Sequence, residues 1–373
     1  MSKRLDLVFV GLALSSSWGN GHATTYRGLI KGLAELGHDV LFLERDVEWY
    51  RSHRDLADPA YCALAYYESL GELISRFGDR LRRADAVIIG SYVPEGVDAI
   101  DAIAALKPRR FCFYDIDTPV TLAKLREGRE EYLAARQIPL FDLYLSFTGG
   151  PTLERLERYF GARRAEAFHC SADADLYSPI GGSKRWDLGY LGTYSPDRQP
   201  TLERLLLEPA RRLPRMRFVV AGPQYPAGID WPANVERIDH LPPAEHPAFY
   251  NRQRFTLNVT RADMIAAGWS PSVRLFEAAA CATPIISDFW PGLTDLLPDG
   301  EAVLVARTPD DVVAALTGMS EAERRRLGRA ARNRILAGHT GSARARQFVR
   351  LLEDLPAGPV GATRSRLIEG VMG

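Results

Sequence analysis

Over the first 150 residues, short apolar runs alternate with stretches of helical spacing. Leu5–Leu14, Asp39–Leu43, Ala86–Gly90, Arg110–Tyr114 and Leu143–Phe147 read as strands bounded by polar or glycine positions. Between them, Thr24–Leu36 (stopped by Gly37), Gly71–Arg83, Gly96–Leu106 and Leu122–Ala135 carry helical periodicity. Continuously apolar strands joined by helical crossovers predict a parallel sheet covered on both faces. The alternation breaks at 168–187 and then resumes. Strands are expected at Leu188–Leu191, Arg217–Ala221, Val235–Ile238, Phe255–Val259, Pro284–Ser287 and Ala302–Val305. Helices are expected at Thr201–Arg212, Glu245–Asn251 and Ala322–Leu336, with a last one at about Ser342–Leu355. The fold class is therefore α/β, with two doubly wound, Rossmann-like domains.

The segment from Gly268 to Asp288 concentrates the chemistry. Ser270 is a good N-cap and Pro271 suits a first helical position. Positions 270, 274, 277 and 281 would share one helical face, so Arg274 and Glu277 project together from the first two turns. A helix start offers free N–H groups and a positive dipole end to a phosphate, with Ser272 and Val273 among the donors. Arg274 adds charge, and Glu277 can accept from sugar hydroxyls. An Arg and a Glu at this spacing also make ordinary surface ion pairs worth roughly 0.2–0.5 kcal/mol, so spacing alone leaves both readings open.

The run from Glu277 to Asp288, EAAACATPIISD, resembles the Glu-Ala-Met-Ala-Cys-Gly-x-Pro-Val-Val segment of GT-B glycosyltransferases of the retaining group 1 type. With Ser270-Pro271-Ser272 and Arg274 ahead of Phe276-Glu277, it is most similar to the CgeB-like (spore maturation protein) branch. Phe168–Pro179 resembles the segment that joins the two GT-B domains. The resemblance implies an N-terminal acceptor-side domain over 1–175 and a C-terminal nucleotide-sugar domain over 180–338. It also implies that a helix within about 340–373 returns to the first domain. By the same likeness Glu277 holds the donor ribose and His240-Leu241-Pro242 grips the base. The group 1 pattern carries a second Glu eight positions before the ribose Glu; here that position is Trp269.

Ligands of open α/β sheets bind beyond the C-terminal strand ends, and three loops there carry candidate groups. After the first strand, Trp18-Gly19-Asn20-Gly21-His22 combines glycines that let backbone close on a ligand with an imidazole suited to proton transfer near neutral pH. Lacking the Gly-x-Gly-x-x-Gly spacing, this loop does not predict a dinucleotide site. In one inverting GT-B class a Gly-His at this place supplies the general base; helix capping by His22 is the plainer alternative. Asp115-Ile116-Asp117 follows another strand, and Asp117, further past its end, is the acceptor contact or base, or else a helix cap. Asp-x-Asp also marks metal-dependent GT-A enzymes, but those lack a second doubly wound half. In the second half, Gly192-Thr193-Tyr194 leads to Arg198, which with Arg274 could neutralise a leaving diphosphate as a metal does elsewhere. Gly222 closes the next strand beside the nucleotide.

Composition narrows the setting. The 373 residues carry 47 basic and 47 acidic side chains, so charge does not argue for a nucleic-acid partner. Local basic faces at Arg211, Arg212, Arg215, Arg217 and Arg324–Arg326 read as solvated helix surface, with peripheral contact at the inner membrane surface as the alternative. Four scattered cysteines have no metal-ligand spacing; Cys112 and Cys281 lie in apolar runs, which fits a reducing cytoplasm. Leu5–Leu14 follows Lys3-Arg4, but Asp6 interrupts it, so a strand is expected there rather than a signal peptide.

Together these features give a metal-independent glycosyltransferase with a UDP, GDP or dTDP sugar donor. The acceptor is a glycan, a lipid-linked, a protein or a small-molecule hydroxyl. Retention is expected from the 277–288 segment, while His22 is the feature that would favour inversion. The alternatives are a sugar-nucleotide 2-epimerase and a non-catalytic nucleotide-sugar or glycan binder. Trp49, Tyr50, Arg51, His53 and Arg54 form an acceptor-loop candidate for a polar or phosphorylated group.

Overall fold

Every strand pairing in the structure, a computed structural model that describes residues 3–18 and 21–356, is parallel. The chain divides into two compact units. Of the described residues, one holds those up to Phe147, Pro151–Phe168 and 345–356; the other holds Thr148–Gly150 and His169–Arg344.

The first unit is a seven-stranded sheet of β1 (Asp6–Gly11), β2 (Asp39–Arg45), β3 (Ala63–Tyr67), β4 (Ala86–Gly90), β5 (Phe111–Asp115), β6 (Leu143–Ser146) and β7 (Ala165–Ala167). Its order is β3-β2-β1-β4-β5-β6-β7. Helices cover both faces, so the central strands must be apolar at successive positions: Leu7, Val8, Val87, Ile88, Ile89 and Phe113 are all fully buried. The edge strands β3 and β7 have no such run, because β3 is half exposed and β7 is only Ala165-Glu166-Ala167, and the hydrophobic pattern does not predict them. The helix expected over Leu122–Ala135 lies instead at Thr118–Arg126. Pro119 favours its first turn, and Gly128 at φ +71° takes the chain out of helix.

The second unit is a six-stranded sheet of β8 (Trp186–Leu191), β9 (Phe218–Ala221), β10 (Val235–Ile238), β11 (Gln253–Asn258), β12 (Ile285–Ser287) and β13 (Leu304–Val305), ordered β10-β9-β8-β11-β12-β13. The segment predicted as one helix over Thr201–Arg212 is interrupted. Glu203–Leu207 widens to a five-residue turn, with Glu208 N–H reaching the Glu203 carbonyl. Pro209, having no N–H to return to the preceding turn, accounts for the local change of ladder. The helix of the 268–288 motif begins at Val273 with Ser272 at the N-cap, not at Ser270. Trp269 N–H is bound to the Pro291 carbonyl, and Trp269 C=O accepts from Gly149 N–H, which holds the chain out of helix over these residues.

In the basic runs Arg211, Arg212, Arg215, Arg217, Arg325 and Arg326 are exposed, and Arg324 is the buried exception. Arg324 is 3% exposed, pairs with Glu321 and donates to the Arg254 carbonyl, while Arg211 and Arg212 pair with Glu203 and Asp310. Cys112, Cys170 and Cys281 are buried and all four cysteines are free thiols. Among the described residues no helix is long and apolar enough to cross a membrane.

Gly328, inside the helix Glu321–Gly338, lies so close to the loop before β12 that a Cβ would fall 2.1 Å from the Ala282 carbonyl oxygen. Alanine ordinarily stabilises a helix interior over glycine by roughly 0.5–1 kcal/mol. Gly328→Ala is expected to destabilise the protein by about 1–3 kcal/mol through overpacking. Gly338→Ala in the same helix, where a Cβ meets nothing within 4 Å, is expected to be neutral or stabilising. Urea unfolding of both variants against the native protein checks the contrast.

Candidate functional site

In the second unit the strand order reverses between β8 and β11, and the loops leaving these two strands carry the main charged cluster. After β8 the chain runs Gly192–Arg198 beside the end of β9. Gly222 there adopts φ +142°, and a Cβ on it would meet the Gly192 carbonyl oxygen at 2.1 Å, so the two loops pack backbone to backbone. Thr193 and Tyr194 follow, with the Tyr194 ring edge-on to Tyr225 at 5.5 Å. Arg198 then turns back, its Nη2 donating to the Thr193 carbonyl at 2.6 Å while its buried Nε finds no acceptor.

Arg274 meets this group from the first turn of the helix Val273–Ala280. Its Nη1 donates to Asn258 Oδ1 at 3.0 Å and to the Val259 carbonyl at 3.3 Å, and its guanidinium lies 5.1 Å from the Tyr190 ring centre. Ser272 Oγ donates to the same Asn258 oxygen at 2.7 Å. Burial, and then the neighbouring Arg274 and Arg261, pull the Arg198 pKa below its ordinary value. Among the described residues, Arg198, Arg261 and Arg274 form no ion pair. Arg198 and Arg274, with Arg261 in electrostatic range of Arg198 and with Asp197 and Asp288 acting only from beyond ion-pair distance, suit an anion.

Glu277 does not pair with Arg274. It is 6% exposed, accepts from Tyr177 Oη at 2.9 Å and from Tyr250 Oη at 3.0 Å, and has His246 Nδ1 at 3.9 Å. Each carboxylate oxygen keeps a second lone pair, so the two tyrosines fix the group without exhausting it. Ser270 is buried and accepts from Thr148 Oγ1 at 3.0 Å. Trp269, at φ +43°, is wedged against Gly150 and Gly292, where a Cβ would approach its ring to 2.5 Å, and its Nε1 donates to Asp295 at 2.8 Å.

In the first unit the reversal falls between β1 and β4. The loop after β1 is pinned by Glu44 at the end of β2. This fully buried carboxylate accepts from the backbone N–H of Leu14 (2.7 Å) and Ser15 (2.9 Å) and from Ser15 Oγ (2.6 Å). The helix Gly21–Glu35 follows, with His22 in its first turn, 8% exposed and edge-on to Tyr92. His22 Nε2 lies 3.5 Å from Asp117 Oδ2, whose side chain is 43% exposed. Asp117 occupies the N-cap position of Thr118–Arg126, yet its side chain makes no cap bond. Asp115 is structural: fully buried, it accepts from Tyr144 Oη at 2.6 Å and Thr121 Oγ1 at 2.8 Å. Trp18 is 44% exposed and stacks on His53 at 4.6 Å. Gly19 and Asn20 lie outside the described residues. The polar grip expected from Arg51 and Arg54 is taken up internally, since both bind Asp46 Oδ1, at 3.0 and 2.7 Å.

With both clusters placed, the comparisons acquire meaning. Residues 198–350 match a family model described as glycosyl transferase-like. The chain is similar in structure to sucrose-phosphate synthase from Thermosynechococcus elongatus, with a TM-score of 0.69 and 13% identity over 93% of this chain and 98% of that one. Anabaena HepE, solved with UDP and glucose, gives 0.66 and 11% identity over 94% of this chain and all (100%) of HepE. An alpha-glucosyltransferase solved with UDP gives 0.66 and 12% identity over 93% and 100%. The fold is GT-B. A search by sequence finds no match among curated proteins. The match over 198–350 contains Arg198, Arg274 and Glu277, so the GT-B half with the charged cluster is also the half with a recognisable sequence.

Residues missed by sequence reading are the supports. Asn258 and Tyr250 sit on a strand and helix whose pattern marks them as ordinary core, and nothing local links them to Arg274 or Glu277. Tyr177 lies within the 168–179 segment quoted above, but its partner is a hundred residues away. Glu44 had one usable signal, an acidic residue directly after an apolar strand.

Burial raises the Asp115 pKa to about 6, against hydrogen bonds from Tyr144 and Thr121 that lower it. The folded protein therefore holds this proton to higher pH than the unfolded chain. The associated stability is complete below about pH 4 and is lost as pH rises through about 6. Relative to Asp115→Asn, the native protein should lose on the order of 2–3 kcal/mol across that window. Chemical unfolding of both proteins from pH 4 to 7 measures it, and parallel curves would show that Asp115 is ionised throughout.

Proposed function

We propose that this protein is a glycosyltransferase that moves a sugar from a nucleoside diphosphate sugar to an acceptor hydroxyl. The observation that carries this reading is the pair Arg198 and Arg274 at the strand reversal of the second unit, neither of them in an ion pair among the described residues. In the proposed complex the diphosphate lies against Arg198 and Arg274 and against the backbone N–H groups that follow Ser272. Glu277, oriented by Tyr177 and Tyr250, accepts from the ribose hydroxyls. As the sugar–phosphate bond breaks, negative charge grows on the leaving diphosphate, and the preset guanidiniums stabilise it without reorganisation. A UDP-type donor is the first choice, supported by the UDP complexes of the two structurally similar proteins above.

Retention is the stereochemical outcome supported by the likeness of 277–288 to the retaining group. A second reading, inversion, is favoured by the contact between His22 and Asp117. In that reading the imidazole takes the acceptor proton and Asp117 stabilises the imidazolium that forms. Four free thiols fit a reducing cytoplasm.

Calorimetry with UDP, GDP, ADP and dTDP is the direct test. One nucleotide should bind, and Arg274→Ala or Arg198→Ala should weaken it at least about tenfold, the scale of one lost charge-assisted hydrogen bond. Absence of binding by all four would remove the reading. With the donor identified, proton NMR of the first-formed product gives the anomeric configuration. An inverted product, with turnover lost and nucleotide affinity kept in His22→Ala, would establish the second reading, whereas a retained product would leave His22 as an acceptor contact.

A further inference from the structure

A cavity of about 450 Å³ lies within the second unit, outside the arginine cluster. Trp269, Pro271, Trp290 and Leu296 give it apolar walls, and Asp295, Arg334 and His339 give it polar ones. His339 packs on Phe276 at 5.3 Å. Phe276 and Arg274 are two residues apart, and at about 100° per residue they point roughly 160° apart around their helix. The His339 wall therefore meets this helix on the side away from the phosphate cations.

The cavity has features of a built site. Trp290 is 1% exposed, and its Nε1 is a buried donor with no acceptor among the described residues. An unpaired buried N–H costs roughly 1–3 kcal/mol unless something accepts from it. The Trp269 indole is held in place by Gly150, Gly292 and the bond to Asp295, so it offers a fixed apolar wall. Asp295 is exposed and supplies an acceptor; Arg334 is exposed, forms no ion pair among the described residues, and supplies donors. Burial, then Arg344 and His169, depress His339 to a pKa of about 3, so it is neutral at physiological pH. One anion and one cation leave the lining without net charge.

We infer that this cavity binds a neutral saccharide, with a ring face against the indole wall and hydroxyls to Trp290 Nε1, Asp295 and Arg334. A sugar ring presents an apolar C–H face together with hydroxyls that both donate and accept, which is the combination the lining offers. A phosphorylated ligand would meet the Asp295 carboxylate. The volume lies within the usual roughly 300–1,000 Å³ of small-molecule sites. The ligand is either a free sugar or the terminal residue of a glycan.

Saturation-transfer NMR titration of the intact protein with glucose, galactose, mannose, N-acetylglucosamine and their short oligosaccharides tests the site. At least one should bind saturably. Trp290→Phe, which keeps a ring and removes the N–H, and Arg334→Ala, on an exposed helix surface, should each weaken it about tenfold. Arg274→Ala should leave it unchanged. Tighter binding of an oligosaccharide than of its monomer would support a glycan terminus, and equal binding a free sugar. The inference is overturned if no saccharide binds. It is equally overturned if neither Trp290→Phe nor Arg334→Ala weakens binding, or if Arg274→Ala abolishes it. Thermal melting checks the fold of each variant, and Arg334→Ala alone suffices if Trp290→Phe does not fold. The site does not rest on the transferase reading: saccharide binding without nucleotide binding would sink that reading and leave this one standing.

Discussion

One amide oxygen holds the charged cluster together. Asn258 Oδ1, at the end of β11, accepts from both Ser272 Oγ and Arg274 Nη1, tying the strand to the N-cap and first turn of the motif helix. Its amide nitrogen is spent on Thr260 and Ser287, so the side chain cannot rotate without losing several partners at once. A half-buried guanidinium held by a neutral acceptor keeps its charge for an outside anion; a carboxylate in the place of Asn258 would quench it. The pKa of Arg198 is depressed first by burial and then by the neighbouring Arg274 and Arg261, and an anion in the site would favour its charged form.

Carboxylates in this protein divide by how far past a strand end they sit. Glu44 and Asp115 are buried and locked by internal donors, and they hold a loop and a helix in place. Asp117, two residues beyond Asp115, escapes the layer and keeps an exposed side chain facing His22. The difference follows from geometry: the last strand residue still points into packed layers, whereas two residues later the chain has turned into a helix start whose side chain reaches outward.

Much of the architecture was legible because a strand buried on both faces has to be apolar throughout. β1, β4, β5 and β11 could be read for that reason. The edge strands β3 and β7 could not, since half-exposed edges need no such run. Boundaries failed where a tertiary contact overrode local propensity. Pro271 would suit a helix start, but the bonds from Trp269 to Gly149 and Pro291 keep the chain out of helix until Val273. The 199–212 helix reads as regular in sequence, and Pro209 disrupts its ladder. In the charged cluster, Arg198, Arg274 and Glu277 could be named from their spacing and strand-end positions. Asn258, Tyr177 and Tyr250 could not, because each is defined only by a partner far away in the chain.

The sequence by itself determined the class of fold, the strand-end loops that carry charge, and the residue types available there, since periodicity and turn chemistry are local properties. Tertiary structure alone decided which of those residues keep their charge free. Arg51 and Arg54 are spent on Asp46 and Glu277 is clamped by two tyrosines, while Arg198 and Arg274 remain without carboxylate partners. It also decided that Trp269 serves as a wedge between two glycines and forms a cavity wall, because only packing brings residues 150, 269 and 292 together. Whether a charged or aromatic side chain is support or site depends on its partners, and those partners are set by long-range packing that no local pattern records.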